Sequence, residues 1–219
     1  HRTSHTAASV SGRACMYASA PALPRPRALV PGHSDALRPH RPSAPGPCSH
    51  ATMAPVAAYA ALAPKAPLVP HTIERRAPRD NDVVIEVEYC GICHTDYFFV
   101  NAAWNNNGIF PMVPGHEIVG RVTAVGSTVT KFKVGDRAAV GCIVDTCGAC
   151  SACSDDLHSY CEKGYVGTYN FREKDTGEPT YGGYSTHIVV REAFTLRVPD
   201  SLDPARTAPL LCAGITTYS

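Results

Sequence analysis

The chain has 219 residues with 20 basic against 19 acidic side chains, a net charge of +1 that leaves no electrostatic case for nucleic acid. No run of about 18 uninterrupted apolar residues exists to cross a bilayer, so a soluble globular protein of one domain, or one and a half, is expected. Ten cysteines, four of them packed into positions 147 to 161, sit in a chain too large for a small disulfide scaffold, and they point to metal binding.

Residues 1–52 stand apart. They hold six arginines (Arg2, Arg13, Arg25, Arg27, Arg38, Arg41), one acid (Asp35) and eight prolines, for a local charge of +5 against −4 in residues 53–219. With so few large apolar side chains the segment cannot offset the entropy of ordering, and it is expected to be a disordered leader. An Arg-rich, Ser-rich, acid-poor segment has the composition of an organelle transit peptide; a translated upstream region or gene-model artefact is the alternative. The first residue is His rather than Met, and Met53 stands where the composition changes, which favours the artefact.

From Met53 the text becomes strand-like. Asp82-Val-Val-Ile-Glu-Val-Glu-Tyr89 mixes β-branched residues with alternating acids, the pattern of a half-buried strand. Ile118–Val125, Arg137–Val140, His187–Val190 and Thr195–Val198 are further short strands, separated by Gly and Asp turns. Together they predict a mainly β fold, a compact and partly closed β-barrel. Helix signals appear only near the end, where Asp203 and Pro204 supply an N-cap and first-turn proline ahead of Ala205–Leu211.

Cys147, Cys150, Cys153 and Cys161 read C-x2-C-x2-C-x7-C. Two-residue spacings let successive thiolates point inward from a tight turn, and a fourth closes a tetrahedron about 2.3 Å from Zn²⁺. All four positions are then filled by protein, so this metal would be structural and would hold its loop folded. An iron–sulfur cluster is the alternative; ferredoxin-type runs carry a nearby fourth cysteine followed by proline, whereas Glu162 follows here. Four unliganded thiols are the remaining reading. A second set is open: Cys93 within Cys93-His94-Thr95-Asp96, His116 within Gly115-His116-Glu117, and Cys212. Two thiolates and an imidazole can hold a catalytic zinc with one position free for substrate.

The combination carries a resemblance. Gly115-His116-Glu117-x2-Gly120-x5-Gly126-x2-Val129 resembles the signature of the zinc-containing medium-chain alcohol dehydrogenases. The four-cysteine lobe (142–163), the Lys133-Val-Gly-Asp-Arg137 turn and Leu210-Leu-Cys-Ala-Gly-Ile-Thr-Thr-Tyr218 follow in that family's order. Cys90-Gly-Ile-Cys-His-Thr-Asp96, Phe110-Pro-Met-Val-Pro-Gly-His-Glu117 and Tyr181-Gly-Gly-Tyr184 are most similar to its cinnamyl-alcohol-dehydrogenase branch. The resemblance runs from Met53 to Ser219 and includes none of residues 1–52.

It implies a GroES-like catalytic domain over 53–205, with 206–219 beginning a linker helix toward a Rossmann coenzyme domain. No G-x-G-x-x-G follows a strand anywhere in the sequence, so the chain is expected to be truncated before that domain. The resemblance further implies Cys93, His116 and Cys212 as catalytic zinc ligands, with Glu117 a carboxylate that exchanges onto the metal. Asp96 would accept the second ring N–H of His116. Thr95 would pass the alcohol proton along the nicotinamide ribose, and Thr216 would contact the coenzyme. Members of the branch often carry His where this chain has Phe98, which leaves His94 or water for the outer end of the relay. Trp104 and Cys142 are candidates for the substrate pocket or for ordinary packing, and Cys90 is read as a buried thiol rather than a ligand.

The expected activity is interconversion of primary alcohols and aldehydes, aromatic (cinnamyl) or aliphatic, by hydride transfer. The expected cofactors are two zinc ions per chain, one catalytic and one structural, and NADP, with NAD the alternative. The expected partners are the small-molecule alcohol or aldehyde and, in the full-length form, a second copy in a homodimer; no nucleic acid or membrane is involved. A cytoplasmic location is expected, or an organelle if the leader is a real transit peptide. Two other readings stay open. One is a non-enzymatic zinc-stabilised barrel module, for which an unfilled zinc position has no use; the other is a hydrolase using zinc-bound water.

Overall fold

The computed structural model describes residues 55–103 and 108–219. The leader of residues 1–52, Met53 and Trp104 lie outside the described residues.

In chain order the strands are β1 (Val56–Ala61), β2 (Leu68–Ile73), β3 (Asp82–Cys90), β4 (Ile118–Val125), β5 (Arg137–Val140), β6 (Ile143–Asp145), β7 (Val166–Gly167), β8 (His187–Arg191) and β9 (Leu196–Arg197). Five of them form one antiparallel sheet in the order β8-β3-β4-β5-β9. β3 is paired on both sides, and Val83, Val84 and Ile85 are buried there together with Ile118, Val122 and Ile188 from its neighbours. Of its acids, Asp82 at the start is buried and paired with Arg76, while Glu86 and Glu88 further along are exposed.

The β1–β2 hairpin closes the barrel partway. Ala61 exchanges backbone hydrogen bonds with Met112, Tyr59 N–H donates to Tyr184 at 2.8 Å, and Thr186 N–H donates to Ala57 at 2.9 Å. Thr186 also accepts from Val87 N–H at 2.9 Å, so segment 184–186 lies between hairpin and sheet. β6 and β7 pair at Ile143–Gly167 and Asp145–Val166. That short ladder clamps the base of the four-cysteine lobe.

The fold is mainly β, as expected, with strands at or within two residues of the five expected positions. The hairpin was not anticipated. β1 is alanine-rich and Pro70 interrupts β2, a residue confined to edge strands because it has no N–H for the ladder. The expectation that helix appears only near the chain end is overturned by α1 (His94–Val100) and the single turn α2 (Ser151–Ser154). α1 is built from aromatic and β-branched residues of modest helix propensity, and its start is fixed by Asp96, whose Oδ2 accepts Cys93 N–H at 3.0 Å.

The last segment is helical as predicted but divided. α3 (Pro204–Thr207) is capped by Asp203, whose carboxylate accepts Arg206 N–H at 3.1 Å. A 3₁₀ turn over Ala208–Leu211 follows, then α4 (Ala213–Tyr218), with Cys212 at the break. No helix among the described residues is long and apolar enough to cross a membrane.

Candidate metal centre

The sheet itself brings the first two loops together. Tyr89 pairs with Val119 and Cys90 with Ile118 after a bulge at Val87/Tyr89. The ladder runs one step further as Gly91 N–H donates to Glu117 O at 2.9 Å. Cys93 leaves the end of β3 as the N-cap of α1, and His116 and Glu117 enter the start of β4 from the adjoining side. Cys212, at the junction of the 3₁₀ turn and α4, completes the set.

Ligand atoms of Cys93, His116, Glu117 and Cys212 all lie within 4.8 Å of one another. The two sulfurs are 3.8 Å apart. Sulfurs placed about 2.3 Å from a common tetrahedral centre are separated by about 3.8 Å, so the pair has the spacing zinc requires. His116 is 3% exposed, and its Nδ1 lies 3.0 Å from Asp96 Oδ1. An ionised carboxylate only accepts, which in the neutral ring puts the proton on Nδ1 and leaves a lone pair on Nε2. That buried Nε2 has no hydrogen-bond partner among the described residues. A polar atom stripped of water and left without a donor is costly unless a metal or ligand engages it. The donor set therefore fits a soft-to-borderline divalent ion.

The electrostatics are of the same kind. Burial works against the charge of Asp96, but the hydrogen bond and positive charge of His116, with the Cys93 N–H, hold its carboxyl below the usual range. Asp96 in turn outweighs burial and raises His116. Burial pushes the Cys93 thiol up, yet the backbone N–H and side chain of Thr95 and contacts to His116 and Cys212 bring it below its ordinary value. Cys212 moves the other way, raised by burial and by the neighbouring Cys142 and Cys93.

Glu117, 1% exposed, turns Oε1 toward α4 and accepts Ala213 N–H at 3.2 Å. The Tyr169 ring packs against His116 at 5.8 Å and against Phe99 at 5.6 Å. Tyr184 donates its hydroxyl to Asp96 Oδ2 at 3.3 Å. Neither tyrosine was singled out from sequence as a site residue; Tyr184 stands in the Tyr181-Gly-Gly-Tyr184 stretch, whose glycines were the available signal.

Other expected site residues are placed differently. Thr95 adjoins the Cys93 sulfur, and Cys142, exposed, lies beside Cys212 at the edge of the cluster, where burial pushes its thiol up. His94 is exposed on α1, its ring edge-on to Phe98 at 4.6 Å. Thr216 is exposed on α4, its N–H donating to Cys212 O at 2.9 Å. Cys90 packs against the sheet core, and burial pushes its thiol up to about 12. It is half-buried and lies outside the ligand cluster.

The second cluster is the lobe between β6 and β7. Sulfurs of Cys147, Cys150, Cys153 and Cys161 lie within 4.8 Å of one another, with Cys147 and Cys153 3.8 Å apart. Backbone N–H groups of Ala149 and Cys150 draw the Cys147 thiol down to about 6. Gly148 and Gly164 carry positive φ (65° and 73°), letting the chain turn tightly around the four sulfurs. Cys147 N–H also points at Cys161 Sγ at 3.5 Å, a backbone donor to sulfur of the sort that stabilises a thiolate.

Comparison with known proteins agrees with this geometry. The family model described as "Alcohol dehydrogenase GroES-like domain" matches residues 79–200. The chain is 56% identical over 148 residues to the probable formaldehyde dehydrogenase AdhA of Bacillus subtilis, covering 68% of this chain and 42% of that protein. It is 55% identical over 154 residues to NADP-dependent alcohol dehydrogenase C 1 of Mycolicibacterium smegmatis, covering 70% of this chain and 44% of that one. The solved cinnamyl alcohol dehydrogenase of Sorghum bicolor superposes with a TM-score of 0.73 at 44% identity, over 75% of this chain and 46% of that chain. The chain thus spans less than half the length of these relatives. Since the matched stretch takes in β3 to β9 with the His116–Glu117 loop and the whole lobe, the chain belongs to the alcohol dehydrogenase GroES-like domain family.

Proposed function

We propose that this chain is the zinc-binding catalytic portion, residues 53–205 with the linker of 206–219, of a zinc-dependent NADP(H) alcohol dehydrogenase acting on primary alcohols and aldehydes. The observation that carries the reading is the convergence of Cys93, His116 and Cys212, with an orphaned imidazole nitrogen, beside a carboxylate that already has another partner. The name of the M. smegmatis relative supports NADP and that of the sorghum enzyme supports an aromatic aldehyde.

Cys93, His116 and Cys212 would hold the catalytic ion, with Glu117 able to exchange onto it, and Cys147, Cys150, Cys153 and Cys161 a structural one. Bound zinc supplies Lewis acidity to a carbonyl or alcohol oxygen, and NADP supplies the hydride acceptor or donor. The rest falls to the chain. Asp96 keeps the proton on His116 Nδ1 and so aims Nε2 at the cluster. The Thr95 hydroxyl, adjoining Cys93, takes or gives the alcohol proton at its Oγ and passes it toward the coenzyme side, where Thr216 is exposed. Cys142, beside Cys212, would border the substrate. A homodimer formed through the coenzyme domain belongs to the same proposal.

The test is oxidation of NADPH by cinnamaldehyde, followed with zinc-loaded protein that also carries a coenzyme-binding domain. Turnover that vanishes in Cys212→Ser, with the lobe metal still bound, supports the reading; turnover that survives removal of all metal overturns it. The coenzyme-binding domain is included because hydride transfer needs the nicotinamide held about 3 to 3.5 Å from the substrate carbon.

A further inference from the structure

Asp96 is 4% exposed and accepts four hydrogen bonds, an unusually full complement for one side chain. Oδ1 takes Gly115 N–H at 3.0 Å and His116 Nδ1 at 3.0 Å; Oδ2 takes Cys93 N–H at 3.0 Å and the Tyr184 hydroxyl at 3.3 Å. Three of these donors come from the two loops that carry the ligands themselves. Tyr184 alone arrives from a distant part of the sequence.

Its position is determined by several independent contacts. Gly182 N–H donates to Val113 O at 2.8 Å, Gly183 N–H to Gly115 O at 2.9 Å and Tyr184 N–H to Pro114 O at 3.0 Å, zipping this turn onto the loop that leads into His116. The approach is close enough to require glycine, since a Cβ on Gly182 would stand 2.3 Å from the carbonyl oxygens of Pro114 and Gly115. From the other side Arg75 grips the same turn: Nη1 donates to Tyr181 O at 2.8 Å, and Nη2 donates to Gly182 O at 2.9 Å and Ser185 Oγ at 2.8 Å. A guanidinium spent on two carbonyls and a hydroxyl fixes backbone rather than charge.

We propose that Tyr184 is a positioning residue of the open metal site, its hydroxyl locking the Asp96 carboxylate in the orientation that aims His116 Nε2 at Cys93 and Cys212. The proposal rests on the reading of that cluster as a metal centre. Without the hydroxyl the carboxylate keeps its three donors from the ligand loops but loses the one that ties it to the 181–184 turn, so the partner that sets the imidazole direction is held less firmly. Groups that orient a ligating histidine from behind control how tightly the metal is held.

The experiment compares wild type, Tyr184→Phe and Cys212→Ser, each fully loaded with zinc and then challenged with an excess of a chromogenic chelator. Wild type should release metal in a fast phase, absent from Cys212→Ser, and a slow phase from the lobe. In Tyr184→Phe the fast phase should accelerate about tenfold, at the low end for outer-shell partners of metal ligands, while the slow phase stays as in wild type. The cobalt(II)-substituted variant should also show a shifted visible spectrum for the open site alone. A fast phase and cobalt spectrum identical to wild type overturn the positioning role while leaving the metal site standing. Equal acceleration of both phases overturns it in favour of a general loss of stability. Release with no phase sensitive to Cys212→Ser overturns the metal-centre reading and the proposal with it.

Discussion

The side chain of Glu117 fills the space beside Gly91: a Cβ built on Gly91 would stand 2.0 Å from Oε2 of Glu117 and 3.0 Å from its Cβ. The two residues are also joined by the last ladder hydrogen bond between the ends of β3 and β4. Glycine is required here by close approach, and the group it makes room for is a buried carboxylate at the metal cluster.

Gly91→Ala should therefore drive the Glu117 side chain from its place and break its bond to Ala213 N–H, loosening Cys212 one residue earlier. Overpacking of this kind costs about 1–3 kcal/mol of stability. Metal affinity at the open site should fall about tenfold while lobe affinity is kept. Competitive zinc titration of both sites checks this; an open site with unchanged affinity would show that Glu117 moves without consequence.

Cys153→Ser and Thr95→Ala should fail in different ways. Cys153 is 6% exposed inside a lobe whose regular structure is one helical turn, a 3₁₀ turn and the short β6–β7 ladder, so its fold is expected to depend on the proposed metal. Losing one thiolate should lower the melting temperature sharply. Thr95→Ala removes a hydroxyl and a methyl group from a partly exposed position and should reduce turnover by about 10²- to 10⁴-fold, the range for a lost proton-transfer group, with little change in melting. Equal losses of melting temperature in both variants would refute the division.

How much of this was legible beforehand depends on which physical signal each part carries. β4 and β5 alternate or run apolar between Gly and Asp turns, and their limits were read correctly. The four-cysteine lobe was legible because C-x2-C-x2-C spacing constrains metal geometry directly, whereas Cys93, His116 and Cys212, far apart in sequence, were joined only by the family resemblance. α1 was not legible, since its residues are poor helix formers and its start is set by the side chain of Asp96, read from sequence as a partner of His116 and not as a helix cap. Tyr169 and Tyr184 were invisible as site residues for a different reason. They reach Asp96 and His116 from 53 to 88 residues away in sequence, given by their numbering, and only the β3–β8 pairing and the Gly182–Gly183 turn bring Tyr184 there.

The Asp96 carboxyl, depressed in the folded protein chiefly by His116 against the cost of burial, makes metal-free stability pH-dependent. A carboxyl whose folded value lies below its unfolded value contributes stability that is present above the unfolded value, about 3.9, and is lost as pH falls through the folded one. The unfolded state binds the extra proton, so stability rises with pH across that window. Melting of the metal-free protein should decline steeply on acidification below about pH 4, and Asp96→Asn should show a shallower acid limb. Parallel acid limbs in the two proteins would mean that the Asp96–His116 pair is not coupled to folding.

Metal content tests the central claim most directly. Protein saturated with zinc and freed of excess by gel filtration should contain two zinc per chain by elemental analysis. In that state Cys93 and Cys212 should resist iodoacetamide, because both thiolates are engaged, and treatment with a mild chelator should expose these two before any of the lobe cysteines. One zinc per chain, with Cys93 and Cys212 alkylated as fast as free thiols, would contradict the account.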